Sequence, residues 1–192
     1  MNKYEQAIKR YDEAIRLNPN DADAFERRGE MLSILGEDRN AFADFSEAIR
    51  LDPTKASAFV KRAFMWGLEY DRAIADFTEA IKLDPTNSRY FALRALQWYN
   101  KDDVDRALED CEQAERLDPK NNIVFYMRGF VFKGEGDYEN AIREFDKAIL
   151  LNPTDQGSLQ QRAQAKQQLG DEAGAKADMA AADALRPKLV KL

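Results

Sequence analysis

The residues that most often carry out catalysis in proteins are nearly absent from this sequence. Its 192 residues include one cysteine, Cys111, and no histidine. This composition excludes zinc sites and serine–histidine or cysteine–histidine pairs. The acidic pair Asp102-Asp103 is predicted to cap a helix, and the stretch GEGDY at 134–138 to form a turn rather than a phosphate-binding loop. Cys111 is expected to be buried and inert. We therefore expect no enzyme activity, no metal site and no cofactor.

One charged side chain instead recurs at a fixed place. The stretch FYMRGFVF at 125–132 is apolar or glycine except at Arg128, and four other segments have an arginine in the corresponding position. The five arginines are Arg28, Arg62, Arg94, Arg128 and Arg162. An acidic residue follows in each of the same segments, at Asp44, Asp76, Asp110, Glu144 and Asp178. Where the arginine is missing, near the start of the chain, Arg10 stands in place of the acid.

These two recurring positions predict ion pairs. A charge on the packed face of a helix needs a partner, and a planar guanidinium group can bind a carboxylate with two parallel hydrogen bonds. The predicted partly buried pairs are Arg28–Asp44, Arg62–Asp76, Arg94–Asp110, Arg128–Glu144 and Arg162–Asp178. The alternative left open is that the arginines form a ladder facing an acidic ligand.

The elements that position these residues form an internal repeat. Six segments of thirteen residues, such as AIREFDKAILLNP, each end in a proline and show the apolar stripe of a helix. The prolines are Pro19, Pro53, Pro85, Pro119, Pro153 and Pro187, at spacings of 34, 32, 34, 34 and 34 residues. A second helical stretch precedes each segment after the first. The predicted unit is helix A, a short turn, helix B and a turn at the proline.

Apolar and small residues recur within this unit in a fixed order. One repeat shows them at Phe125, Gly129, Phe132, Tyr138, Ala141, Phe145, Ala148 and Pro153. This order resembles the tetratricopeptide repeat, and the resemblance covers essentially the whole chain. It implies an all-α fold, a right-handed α-solenoid superhelix of antiparallel helix pairs. It also implies that the A helices line a concave groove in which peptides bind.

The repeat divides the chain unevenly. We predict a single solenoid over 1–192, in which residues 1–21 form a half repeat with helix B only. The predicted full repeats are 22–55, 56–87, 88–121, 122–155 and 156–189. The second of these is two residues short between Trp66 and Tyr70, so its helix A should lose about half a turn or end in a tighter bend. The last is rich in glutamine and is expected to act as a cap, with a polar groove wall as the alternative.

The expected function is that of a protein–protein interaction scaffold. The slots of helix A that should face the groove are apolar or aromatic in the middle of the chain, with basic residues near them. The predicted binding residues are Val60, Lys61, Phe64, Arg89, Leu96, Tyr126, Phe130 and Lys133. Such a surface suits an amphipathic helix or an extended peptide with apolar anchors. The alternative left open is that Val60, Leu96 and Tyr126 only pack between neighbouring A helices.

Composition narrows the range of partners. The net charge of −6 argues against nucleic acid as a partner, and no apolar run is long enough to span a membrane. A lone cysteine and the lack of an apolar leader favour a cytoplasmic protein. Two other functions stay open: self-association as a homodimer through the open N-terminal edge formed by the helix at 4–17, and service as the adaptor portion of a longer protein.

Overall fold

The structure, a computed structural model, describes residues 2–185, and these form eleven α-helices and no strand. The helices are α1 (Lys3–Leu17), α2 (Ala22–Ile34), α3 (Asp38–Leu51), α4 (Ala56–Met65), α5 (Tyr70–Leu83), α6 (Ser88–Asn100), α7 (Val104–Leu117), α8 (Asn122–Gly134), α9 (Tyr138–Leu151), α10 (Gln156–Gln168) and α11 (Glu172–Ala184). The predicted all-α class is confirmed. Pro187 and the end of the last predicted repeat lie outside the described residues.

The chain divides into two compact units, Met1–Thr86 and Asn87–Leu192. In the first, each helix from α1 to α5 packs against the next. In the second, the pairs α6–α7, α8–α9 and α10–α11 pack together, and α8 also contacts α6, α7 and α10. The division of the chain into a half repeat and five full repeats stays a prediction.

The ends of the helices follow from local chemistry. Asp52, which ends α3, adopts an extended conformation because the following proline disfavours the helical one. Its carboxylate accepts hydrogen bonds from the backbone and the hydroxyl of Thr54, at 3.0 and 2.6 Å. Between α2 and α3, Gly36 has a φ of +77°, which favours glycine. Asp102 takes the same left-handed position between α6 and α7 with a φ of +63°, so only its neighbour Asp103 caps a helix.

Small residues allow the paired helices to approach closely. A Cβ atom at Gly129 on α8 would lie 2.8 Å from the ring of Phe145, which is fully buried on α9. Cys111 occupies the corresponding position on α7 and is also fully buried. Burial raises the pKa of its thiol to about 12, which leaves it protonated and unreactive at neutral pH.

The repeat with two missing residues shortens its first helix. Helix α4 has 10 residues, whereas α2, α6, α8 and α10 have 13 each. The loss is close to one turn, larger than the expected half turn, because the connection from α4 to α5 also gains a residue. The residue after α4, Trp66, donates its indole N–H to Asp76 on α5 at 2.7 Å.

Candidate protein-binding surface

The arginines of the first unit contact the acids predicted as their partners. Arg28 on α2 donates two hydrogen bonds to Asp44 on α3, at 2.8 and 2.7 Å, and a third to Asp12 on α1, at 2.8 Å. Arg62 on α4 donates to both oxygens of Asp76 on α5, at 2.9 and 2.7 Å. The hydrogen bonds that Arg28 donates to Asp44 are the largest cause of the raised pKa of Arg28.

The second unit shows the same arrangement, except that Arg128 contacts only one oxygen of its predicted partner. Arg94 on α6 donates two bonds of 2.8 Å to Asp110 on α7. Arg128 on α8 donates to one oxygen of Glu144 on α9, at 2.8 Å from Nε and 2.6 Å from its terminal nitrogen. It also donates to Glu115 on α7, at 2.5 Å.

The last arginine bridges three helices as well. Arg162 on α10 contacts Asp178 on α11 at 2.8 and 2.5 Å, and Asp146 on α9 at 2.6 Å. The acid on the preceding helix was missed by sequence reasoning. It lies sixteen residues before Arg28 and Arg162, and that regular spacing was the available signal. The arginines are therefore occupied by carboxylates of their own chain, and no acidic ligand is needed to balance them.

In the first unit, Phe64 lines an apolar pocket of about 390 Å³. Phe64 is 49% exposed, and its ring contacts Phe77 edge to face, with 5.7 Å between centroids. The other apolar residues that line the pocket are Met31, Ile34, Phe45 and Met65. The pocket is open to an apolar side chain from outside.

Lys61, at the rim of this pocket, contacts Glu26 and Glu30 on the neighbouring helix. Glu26 is buried and also lies 3.2 Å from Lys55. Burial alone would raise the pKa of Glu26, but the hydrogen bond from Lys61 and the other polar contacts lower it overall. Val60 is half-buried. Lys61 thus contacts two acids of its own chain, and its role in binding a partner stays a prediction.

In the second unit, three aromatic rings form a connected series on the A helices. Phe130 contacts Tyr99 edge to face, with 5.8 Å between centroids, and stacks on Tyr126 at 6.4 Å. All three are only partly buried, as is Leu96. Burial raises the pKa of Tyr126, so its hydroxyl stays neutral.

The series continues into a pocket of about 390 Å³ at the start of the A helices. Tyr126 lines it together with Ile123, Met127 and the exposed Arg89. Asp155 also lines this pocket, but its carboxylate accepts hydrogen bonds from the first turn of α10. Apolar walls with a few polar groups are typical of ligand sites.

The aromatic series ends at a lysine. Lys133 lies with its ammonium group 5.6 Å from the centre of the Phe130 ring. It donates to the side-chain oxygens of Gln161 and Gln164 on α10, at 2.5 and 2.7 Å. Burial lowers the pKa of Lys133. The glutamine-rich helix α10 therefore supplies polar groups beside the aromatic series.

Comparison with known families now adds to this geometry. A model described as TPR repeat matches residues 1–36, and two described as tetratricopeptide repeat match 67–122 and 123–155. Together they span more than half of the chain. The chain belongs to the tetratricopeptide repeat family. Such repeats are generally non-catalytic scaffolds for interactions between proteins.

Solved tetratricopeptide structures share the fold. A chain of the APC/C hetero-tetramer Cut9–Hcn1 matches with a TM-score of 0.83 at 18% identity, over 95% of this chain and 37% of that chain. A tetratricopeptide repeat protein from Parabacteroides merdae matches with a TM-score of 0.80 at 18% identity, over 96% and 74%. YrrB, described as a TPR protein with an unusual peptide-binding site, matches at 0.61 and 19% identity over 93% of each chain. No curated protein matches the sequence.

The predicted binding residues of this tetratricopeptide chain fall into two sets. Val60, Lys61 and Phe64 belong to the first unit, and the other five belong to the second. Within the second unit, Tyr126 shares a pocket with Arg89 and a ring contact with Phe130. In the described residues, no helix has the length and apolar composition needed to cross a membrane.

Proposed function

We propose that the chain is a non-catalytic scaffold that binds a peptide or helix of a partner protein in the concave groove expected of its family. The main contacts are made by Tyr126 and Phe130 on α8. Arg89 and Leu96 extend this surface within the second unit. Phe64 lines a separate apolar pocket of the first unit.

One observation carries this proposal: the aromatic series of Tyr99, Phe130 and Tyr126 is incompletely covered by its own unit. Aromatic side chains offer much apolar area with little loss of rotamer entropy, and they dominate the energetics of protein interfaces. The apolar pocket that Tyr126 lines can take an anchor side chain of an extended or helical segment. The peptide-binding site named for YrrB is consistent with this use of the fold.

Selection from a random-peptide phage library tests the proposal. The full chain is the bait, and enriched peptides are tested again on Phe130→Glu and on Leu150→Glu. Leu150 makes a matched control because it lies in the same unit, on α9, and is 81% exposed. We expect peptides that bind the wild type and Leu150→Glu but not Phe130→Glu, with unchanged helical content by circular dichroism. The proposal fails when no peptide is enriched, or when enriched peptides bind all three proteins equally.

A second candidate function is self-association through α1. None of the described residues of this helix is fully buried, and Tyr4 and Tyr11 stay partly exposed, although Ile8 packs against Leu32 and Phe45. Burial of the two tyrosine rings against a second copy would cover apolar surface. Light scattering across a concentration series would show a dimer whose formation is lost in Tyr11→Glu. A monomer at all concentrations would exclude this candidate. The cytoplasmic location and the adaptor role stay predictions.

A further inference from the structure

Lys133 differs from the other partly buried cations of the described residues. Each of the others contacts at least one carboxylate of its own chain. Those cations are Arg28, Lys55, Lys61, Arg62, Arg94, Arg128, Arg162 and Lys166. Lys133 contacts only two amide oxygens and the face of an aromatic ring. Among these cations, Lys133 is thus the one whose positive charge meets no acid of the described residues.

A cavity opens beside this ammonium group. It measures about 340 Å³ and is lined by Lys133, Tyr138, Gln164, Gln167 and Gln168. Each glutamine carries two N–H donors besides its oxygen, and an ammonium group has three. The lining therefore contains several hydrogen-bond donors, a formal positive charge and no acid.

The acids nearest to Lys133 in the sequence do not contact it. Glu135 and Asp137 lie in the turn after α8, and neither contacts the ammonium group. The carboxylate of Asp137 instead accepts hydrogen bonds from the backbone and side chain of Asn140, at 3.1 and 2.6 Å. A partly desolvated cation without a counter-charge gains most from an anion that arrives with a ligand.

We propose that the cavity beside Lys133 receives the side-chain carboxylate of a glutamate or aspartate in the bound segment. The adjoining part of that segment places an apolar side chain on Phe130 and Tyr126. This inference rests on the proposed function and specifies the chemistry of the partner: an acidic residue beside an apolar anchor. The lowered pKa of Lys133 agrees with the desolvation that makes a carboxylate favourable there.

The phage selection already described supplies the probe. An enriched peptide is synthesised with an amidated C-terminus, so that its carboxylates come only from side chains, and again with its glutamate or aspartate changed to the amide. Binding of both peptides is measured by fluorescence anisotropy on the wild type, Lys133→Gln and Lys120→Gln. Lys120 is an exposed lysine of the same unit and controls for the loss of charge. We expect the acidic peptide to bind the wild type and Lys120→Gln roughly tenfold more tightly than the amide peptide, and Lys133→Gln to abolish this preference.

A second variant supplies the carboxylate from within the chain. In Gln164→Glu, the new carboxylate lies at the residue that already contacts Lys133. It should therefore compete with the carboxylate of the peptide and weaken binding of the acidic peptide several-fold. Gln113→Glu on α7, outside the cavity, should leave the affinity unchanged.

The outcomes separate the two proposals. Enriched peptides that depend on Phe130 but lack an acidic residue, or whose acid-to-amide change has no effect, overturn the carboxylate inference and leave the binding function standing. The absence of any peptide that depends on Phe130 overturns both.

Discussion

Replacement of Arg128 by methionine removes a bridge between three helices. The side chain is 12% exposed and contacts Glu144 on α9 and Glu115 on α7. Methionine keeps an apolar stem of similar reach, so the change mainly removes the guanidinium group. Glu144, which is 9% exposed, then keeps only its contact with Lys147 at 2.7 Å.

The structure gives the expected size of this effect. Removal of one partner from a buried ion pair lowers the free energy of unfolding by about 3–5 kcal/mol. Because Glu144 keeps its contact with Lys147, we expect a loss near the lower end of this range. A loss of about 3 kcal/mol corresponds to a fall of roughly 6–12 °C in melting temperature for a chain of this size. The physical cause is the nearly buried carboxylate of Glu144, which cannot recover its hydration.

Arg62→Met provides a matched comparison in the first unit. Arg62 is 21% exposed, and Asp76 would keep the indole N–H of Trp66 as a donor. No acid on the preceding helix contacts Arg62, because the position sixteen residues before it is Ser46. We expect a smaller cost of about 1–2 kcal/mol.

Urea-induced unfolding followed by circular dichroism measures both variants. Equal losses in the free energy of unfolding for Arg62→Met and Arg128→Met would contradict the role assigned to the bridge. A loss below about 1 kcal/mol for Arg128→Met would contradict it as well. Charge reversal adds an independent test. Arg128→Asp combined with Glu144→Arg must be more stable than Arg128→Asp alone, and equal stability would show that the pair does not interact.

Three further changes test the packing, the thiol and the arginine network. Gly129→Leu should cost about 1–3 kcal/mol in urea unfolding, because even its Cβ would lie 2.8 Å from Phe145; an unchanged midpoint would contradict the packing. Cys111 should resist a thiol reagent at pH 8 until urea unfolds the chain, and rapid labelling of the native protein would contradict its burial. Because the pKa of the thiol is raised, the folded state keeps this proton to a higher pH than the unfolded state does. The free energy of unfolding should therefore fall as the pH rises from the ordinary pKa of 9.0 towards about 12, and Cys111→Ala should remove the contribution of the thiol to that fall. Ser46→Asp should raise stability by about 0.5–1 kcal/mol by giving Arg62 an acid on the preceding helix, and the gain should vanish in Arg62→Met; a gain that persists there would have another source.

Contacts inside one helix pair could be predicted from the sequence. The proline spacing predicts where the B helices end, and the positions of Arg128 and Glu144 within one period place them opposite each other. Helical periodicity and a constant repeat length determine which faces meet, so these positions follow from counting.

Contacts that cross from one repeat to the next were harder to predict from the sequence than contacts inside one helix pair. Arg128 reaches Glu115, thirteen residues earlier, whereas Arg28 and Arg162 reach acids sixteen residues earlier. The choice depends on side-chain length and rotamer, which the pattern does not encode. The contact of Lys61 with Glu26 on the neighbouring helix is of the same kind, because it joins two successive A helices.

Nuclear magnetic resonance can show whether a partner peptide binds the surface formed by Tyr126, Phe130 and Lys133. Backbone amide signals of the full chain are recorded during titration with a peptide selected from the phage library. We expect the largest shifts to fall on α8 and the facing side of α10, around these three residues, and Phe130→Glu to remove them. Shifts confined to α1 or to the exposed face of α9 around Leu150, or shifts that persist in Phe130→Glu, would contradict this expectation.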